Sequence, residues 1–334
     1  MELQFLAISI LFSSLITFIL LYLYIRYSNF FNINNKPENI SKLISKKTVP
    51  TSGGIIVSFV FLVLILVWYI NNPKLFSSIP RLEVFIFSII ALTVISFIDD
   101  FRPINPIYRF AIQVTVVFVS LSTIETHVFQ FLPLKLSVIL SVYFWAYYIN
   151  INNFIDGIDG FEISNVIFCC LAVVIATTMM KINILEKYLA IGILSASIPF
   201  LYFNKPSAKI FMGDSGSIFF GYIIGWIILR LISIELWFVA IIISIYPILD
   251  VTITIFNKII RGYKPWDRLF DYYFLQGVKN NKITHAKTLL YFNIHNTFGI
   301  FFIYGCFYFP PIYMITLSFI NSLLLLFKYK TYKI

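Results

Sequence analysis

The sequence predicts an all-α protein that crosses a membrane many times, and three observations carry that reading. Of 334 residues, 60% are hydrophobic and only 12% charged, against roughly 45–50% and about 25% in a soluble domain. Apolar runs of about 17–25 residues, the length that spans a bilayer, recur along the chain. The 25 basic residues, against 15 acidic ones, collect on alternate sides of those runs. A soluble globule of this composition would expose apolar patches far larger than monomers carry. The net charge of +10, which in a soluble chain would suggest nucleic acid, is here the basic bias of cytosolic membrane loops.

Taken in order, the runs fall near 3–25, 54–70, 82–98, 108–124, 133–151, 163–180, 187–203, 217–233, 236–256, 287–306 and 311–327, about eleven spans in all. Each must be helical, because backbone polar groups cannot go unpaired in hydrocarbon. The first run has neither a basic segment before it nor a small-residue cleavage site after it, so it reads as an anchor. Loops 26–53, 99–107, 204–216 and 257–286 with the tail 328–334 hold 17 Lys and Arg, whereas the opposite loops hold only Lys74, Arg81 and Lys181. That asymmetry sets the amino terminus outside and the carboxyl terminus in the cytosol. The expected organisation is one transmembrane domain over 1–334, with cytosolic loops 26–53, 99–107, 152–162, 204–216 and 257–286. Cys169, Cys170 and Cys306 lie within apolar runs without metal-ligand spacing and read as buried hydrophobes.

The aspartates sort to one side, whereas Glu2, Glu83, Glu125, Glu186 and Glu235 fall on the outer side. Asp99, Asp100, Asp156, Asp159, Asp214, Asp250, Asp267 and Asp271 fall on or near the cytosolic face. A transporter gathers its polar groups near the midplane, so this distribution favours chemistry at the cytosolic surface. Asp99 and Asp100 close the third run in SFIDDFRP; adjacent carboxylates at a helix carboxyl end are doubly unfavourable and call for a compensating cation. NINNFIDGIDG, Asn150 to Gly160, pairs two amides three residues apart with two Asp-Gly turns, more than a plain turn requires. FMGDSGS, Phe211 to Ser217, presents Asp214 between glycines at the start of a helix, a setting suited to phosphate or Mg²⁺. KKTVPTSGG, with Lys46 and Lys47, either anchors the chain to the membrane or holds a lipid phosphate. Arg109 and Gln113 share a helix face, with Arg109 either snorkelling or meeting a phosphate. Asp250 in YPILD is an intramembrane acid, functional or paired with a neighbouring helix. His127 and His295 read as structural.

These pieces, PTSGG (50–54), DD (99–100), Arg109 with Gln113, NINNFIDGIDG (150–160), FMGDSGSIFFG (211–221) and PILD (247–250), together resemble the bacterial polyprenyl-phosphate glycosyl-1-phosphate transferases. That family includes the N-acetylglucosamine-1-phosphate transferases that start O-antigen or teichoic-acid intermediates, and the phospho-N-acetylmuramoyl-pentapeptide transferase. The resemblance implies a multi-pass enzyme of the bacterial inner membrane. It would transfer a sugar-1-phosphate from a UDP-activated N-acetylhexosamine to undecaprenyl phosphate and release UMP, with Mg²⁺ or Mn²⁺ as cofactor. A homodimer is a candidate assembly. Asp214 would hold the metal, with Asp100 and Asn153 as further candidate ligands. Asp99 would take or position the proton of the lipid phosphate, and Asp100 would support it. Asn150, Asn153, Asp156, Asp159, Arg109, Gln113, Lys47, Arg261, Lys264 and Arg268 would bind substrate. Attack is either direct or through an enzyme aspartate.

One departure stands out. Relatives carry paired histidines in the last large cytosolic loop, where this chain reads RGYKPWDRLFDYYFLQ, Arg261 to Gln276. Leu269 with Asp271 or Tyr272 stands where the histidines would fall, and His285 lies too far downstream to replace them. The loop also sets the chain apart from the pentapeptide transferase. Arg261, Lys264 and Arg268 keep positive charge there. The competing expectation is a protein that retains the scaffold and binds or transports lipid phosphate without transfer.

Overall fold

The computed structural model describes residues 3–28, 49–124, 127–265, 267 and 271–332. Lys47 and Arg268, both expected to contact substrate, lie outside them. The described residues form α1 (Leu3–Tyr27), α2 (Gly54–Asn71), α3 (Leu82–Phe101), α4 (Pro106–Ser120), α5 (Leu134–Ile155), α6 (Phe161–Met179), α7 (Leu185–Asn204), α8 (Asp214–Ser233), α9 (Trp237–Ile260), α10 (Tyr273–Lys279), α11 (His285–Gly305) and α12 (Pro311–Lys330).

Eleven of these helices coincide with the apolar runs, but among the described residues nine are long and apolar enough to cross a membrane. The other two, α7 and α11, fall short of the expectation because their runs are diluted by polar residues. α7 opens on Glu186 and Lys187, and α11 carries His285, Lys287, Asn293, His295 and Asn296. α10 divides the 257–286 loop, and α5 and α6 shorten the 152–162 loop to residues 156–160.

α8 is the axis of the bundle. It is buried along almost its whole length and packs against α2, α3, α5 and α9. A helix apolar on every side is stable only when surrounded, and here polar links replace the hydrophobic drive that lipid cannot supply between helices. Trp145 Nε1 of α5 donates to Tyr222 O at 2.8 Å, and Tyr222 Oη donates to Ser120 Oγ of α4 at 3.0 Å. At one end of α8, Arg230 Nε donates to the buried Glu186 at 2.6 Å and its guanidinium lies over Trp226. At the other end stands Asp214. Peripheral helices present their apolar side chains outward, among them Leu11, Phe87, Phe118, Leu324 and Phe327. Lipid satisfies such a surface; water would not.

Candidate active site

The turn after α3 builds the first half of the site. Ile104 N donates to Asp99 Oδ1 at 2.5 Å, and Asn105 Oδ1 caps α4 by accepting from Ile107 N at 3.0 Å. Pro106 then begins α4 where a missing N–H costs nothing. Arg109, one turn along, reaches back so that its Nη1 donates to Asp99 Oδ2 at 2.6 Å and also to Asp214 Oδ2. One cationic nitrogen thus answers two carboxylates from different helices. All three side chains are at least three-quarters buried, with exposures of 12%, 7% and 25%.

Asp100 faces the other way and serves the start of α8. It accepts from Ser52 Oγ at 2.6 Å, Asp214 N at 2.8 Å and Ser215 N at 3.3 Å. Gly213, the residue before α8, has no side chain to cap with, so Asp100 caps the helix from outside, where negative charge is favourable. The glycine is required: its φ is +73°, and a Cβ there would lie 2.7 Å from Asp100 Oδ2 and 2.8 Å from Ser52 Cα. Three backbone hydrogen bonds join residues 50–54 to 211–213: Phe211 N to Pro50 O (2.9 Å), Gly53 N to Phe211 O and Gly54 N to Met212 O (both 3.0 Å). PTSGG and FMGDSGS are therefore two sides of one structure. Ser52 holds a positive φ of 63° at zero exposure, a strained position for a residue with a Cβ.

α5 supplies the amides. Asn153 Nδ2 donates to Asp214 Oδ1 at 2.8 Å and Ser217 Oγ at 3.0 Å. Asn150 Nδ2 donates to Gln113 Oε1 at 2.7 Å, which leaves the buried Gln113 Nε2 as a donor without a partner. Asp156 ends α5. Burial, and after it the charges of Asp214, Asp100 and Asp159, push its carboxyl up to about 8. Asp159 is engaged in the loop itself: its Oδ2 accepts from Ala208 N at 3.1 Å, and His285 Nδ1 lies 3.3 Å from its Oδ1.

The structure thus brings Asp99, Asp100, Arg109, Asn153 and Asp214 into one connected group, with Asn150 and Gln113 joined to each other beside it. Arg261 sits elsewhere: its Nη2 donates to Asp271 Oδ2 at 2.6 Å, while Lys279 donates to Asp271 Oδ1 at 3.1 Å. Burial alone would raise the Asp271 carboxyl, but these two partners hold it below its ordinary value. Lys264 is tied through its backbone N–H to Asp267 Oδ2 at 2.9 Å. Asp250 takes the structural of its two readings. It accepts from Tyr246 Oη at 2.9 Å, Tyr273 N at 2.9 Å and Phe274 N at 3.3 Å, so it caps α10. Sequence reasoning missed Ser52 as a partner of Asp100, although PTSGG contained it, and dismissed His285 on spacing alone. Among the described residues no group of three or more His, Cys, Asp or Glu is placed to hold a metal.

In sequence, the chain is similar to known transferases. A phospho-N-acetylmuramoyl-pentapeptide-transferase of Wolbachia sp. subsp. Brugia malayi (strain TRS) is 28% identical over 210 residues, 57% of this chain and 61% of the relative. The same enzyme of Prochlorococcus marinus subsp. pastoris is 28% identical over 279 residues, 75% of this chain and 76% of the relative. A probable undecaprenyl-phosphate N-acetylglucosaminyl 1-phosphate transferase of Bacillus subtilis (strain 168) is 38% identical over 119 residues, 34% of this chain and 32% of the relative. The pentapeptide transferases, which the last loop had set apart, are thus among the relatives. Residues 82–232 match the model of glycosyl transferase family 4, a stretch that contains Asp99, Asp100, Arg109, Asn150, Asn153, Asp156, Asp159 and Asp214. The order of the motifs and these relatives point the same way, and over residues 82–232 the chain is similar to glycosyl transferase family 4.

Proposed function

We propose that the chain transfers a sugar-1-phosphate from a UDP-activated N-acetylhexosamine to undecaprenyl phosphate at the cytosolic face of a bacterial inner membrane. The observation that carries this reading is Arg109 bridging Asp99 and Asp214. It makes a charged, mostly buried point where three helix ends meet, set by α3, α4 and α8. In the reaction an oxygen of the lipid phosphate forms a bond to the sugar-linked phosphorus. The bond from that phosphorus to the bridging oxygen breaks, and UMP leaves with the electron pair. A phosphate monoester is already nucleophilic, so the chief obstacle is repulsion from the diphosphate, and positioning with charge neutralisation removes it.

Each residue has a part in that task. Arg109 can trade a carboxylate for phosphate oxygens, which suit its planar fork. Asp99 orients Arg109 and stands ready to accept a proton from a protonated lipid phosphate. Gln113 Nε2 offers a directed hydrogen bond. Asp100 and Asn153 fix Asp214.

The carboxylates also fit Mg²⁺, which usually takes one or two protein carboxylates and completes its shell with substrate phosphates and water. Asp214, whose carboxylate already meets the Arg109 cation and is fixed by Asn153, would hold it. When bound, the ion would neutralise diphosphate charge. The deciding experiment measures UMP release by the purified chain in detergent, with undecaprenyl phosphate, Mg²⁺ or Mn²⁺, and a panel of UDP-sugars. Release from at least one donor, abolished in Asp214→Asn without loss of folding, supports the reading. Binding of lipid phosphate with no release from any donor replaces it with a scaffold that only binds.

A further inference from the structure

His285 opens α11 but is not needed to start it. Thr284 already caps the helix, its Oγ1 accepting from Lys287 N at 3.2 Å. The imidazole turns instead to the 156–160 loop. Asp159 N donates to His285 Nδ1 at 3.2 Å, and Asp159 Oδ1 lies 3.3 Å from the same nitrogen. The loop is tied onward at two adjacent residues. Ala208 N donates to Asp159 Oδ2 at 3.1 Å, and Gly160 N donates to Asn204 Oδ1 at 3.0 Å. Asn204 Nδ2 in turn donates to Ile210 O at 2.8 Å. That chain segment runs directly into the turn that presents Asp214. α11, the Asp-Gly loop and the Asp214 turn are thus latched at a single point.

The histidine is an expensive way to hold a loop. Whether Nδ1 only accepts or both ring nitrogens are protonated, Nε2 bears a hydrogen, and Nε2 is enclosed without a partner. Arg261, one of the basic residues expected to bind substrate, donates instead to Asp271, whereas Asp159, expected to bind substrate too, lies in the loop that His285 holds.

We propose that His285 is a positioning residue for the nucleotide-sugar donor, holding Asp159 and with it the 156–160 loop in register with the Asp214 turn. This rests on the transferase reading. We assign the 156–160 loop to the donor and the Asp99 carboxylate to the lipid phosphate, and the latch, made by His285, Asp159, Gly160, Asn204 and Ala208, includes neither Asp99 nor Arg109. In the full chain, His285→Ala should raise KM for the UDP-sugar about tenfold or more, with kcat and KM for undecaprenyl phosphate within about twofold of wild type. His285→Asn, whose Oδ1 can accept the Asp159 N–H, should return most of the lost KM. Hydrogen–deuterium exchange supplies a readout that needs no turnover: peptides covering 156–160 and 204–210 should exchange faster in His285→Ala and recover in His285→Asn. Unchanged exchange in His285→Ala overturns the proposal. So does a loss spread evenly over both substrates, or a fall in melting temperature that His285→Asn fails to reverse. A wild-type chain that releases UMP while His285→Ala keeps its donor KM sinks this inference alone. A wild-type chain inert with every UDP-sugar sinks the transferase reading and the donor role together.

Discussion

Arg109 is the residue on which the site's electrostatics turn. Removing it leaves Asp99 and Asp214 facing each other with no cation between them, and breaking a buried pair in this way costs about 3–5 kcal/mol. Arg109→Ala should therefore lower the melting temperature in detergent and abolish UMP release. Arg109→Lys restores charge but not the fork and should recover stability more than turnover. Asp156 makes a second prediction, through pH. Its carboxyl sits at about 8 in the folded chain against 3.8 for an ordinary aspartate. Below about pH 4 both folded and unfolded chains hold the proton. As pH climbs from there towards 8, the unfolded chain gives it up first and the folded state loses ground. Substrate-free, metal-free wild type should thus melt at lower temperature at pH 8 than at pH 5. Asp156→Asn should flatten that dependence. An identical slope in both proteins would show that other groups set it. Motif residues such as Asp99, Asn153 and Asp214 were legible in the sequence, because paired acids and amides stand out against apolar runs. The work of Ser52 and His285 was not. Each acts on a carboxylate far away in the chain, and spacing along a sequence carries no trace of such a partner.

At the scale of elements, the most telling piece is the shortest helix. α10 has seven residues, too few to persist without support, and Asp250 holds its first two N–H groups from within α9. Asp250→Ala should cost about 0.5–2 kcal/mol, the loss of a helix cap, and should speed proteolysis between 261 and 280 before it lowers global stability. Unaltered cleavage would mean that Tyr246 and the stacked rings around Phe274 suffice. The pairing of residues 50–54 with 211–213 gives a sharper case. Gly213→Ala brings a methyl into Asp100 and Ser52 at a backbone angle that disfavours it, so UMP release should fall by an order of magnitude or more, about 1.4 kcal/mol or above in the barrier. The helices themselves were readable from apolar length. α10 was not, because it is made by a cap supplied from another helix. Nor was the polar dilution of α7 and α11 given its weight: bundle interiors take in residues that a lipid-facing helix would not.

For the whole molecule, the 17-to-3 distribution of basic residues predicts orientation. A reporter fused after residue 334 should read cytosolic and one within 125–132 external; the reverse pair would overturn the placement of the site. The burial of α8 has a further consequence, for how the protein meets membranes of different thickness. Asp214 and Arg230 lie sixteen positions apart on a helix that rises about 1.5 Å per residue, roughly 24 Å in all. Asp100 fixes one end and Glu186 the other. Hydrophobic mismatch is absorbed by helices that touch lipid, through tilt and local bilayer deformation. α8 is screened from lipid by its neighbours and has no such freedom. Thin or thick bilayers should tilt α1 and α12 while Asp214 stays at a constant depth. In vesicles differing only in acyl-chain length, turnover should hold nearly level, and Glu186→Gln, which unpins the far end, should make it sensitive to thickness.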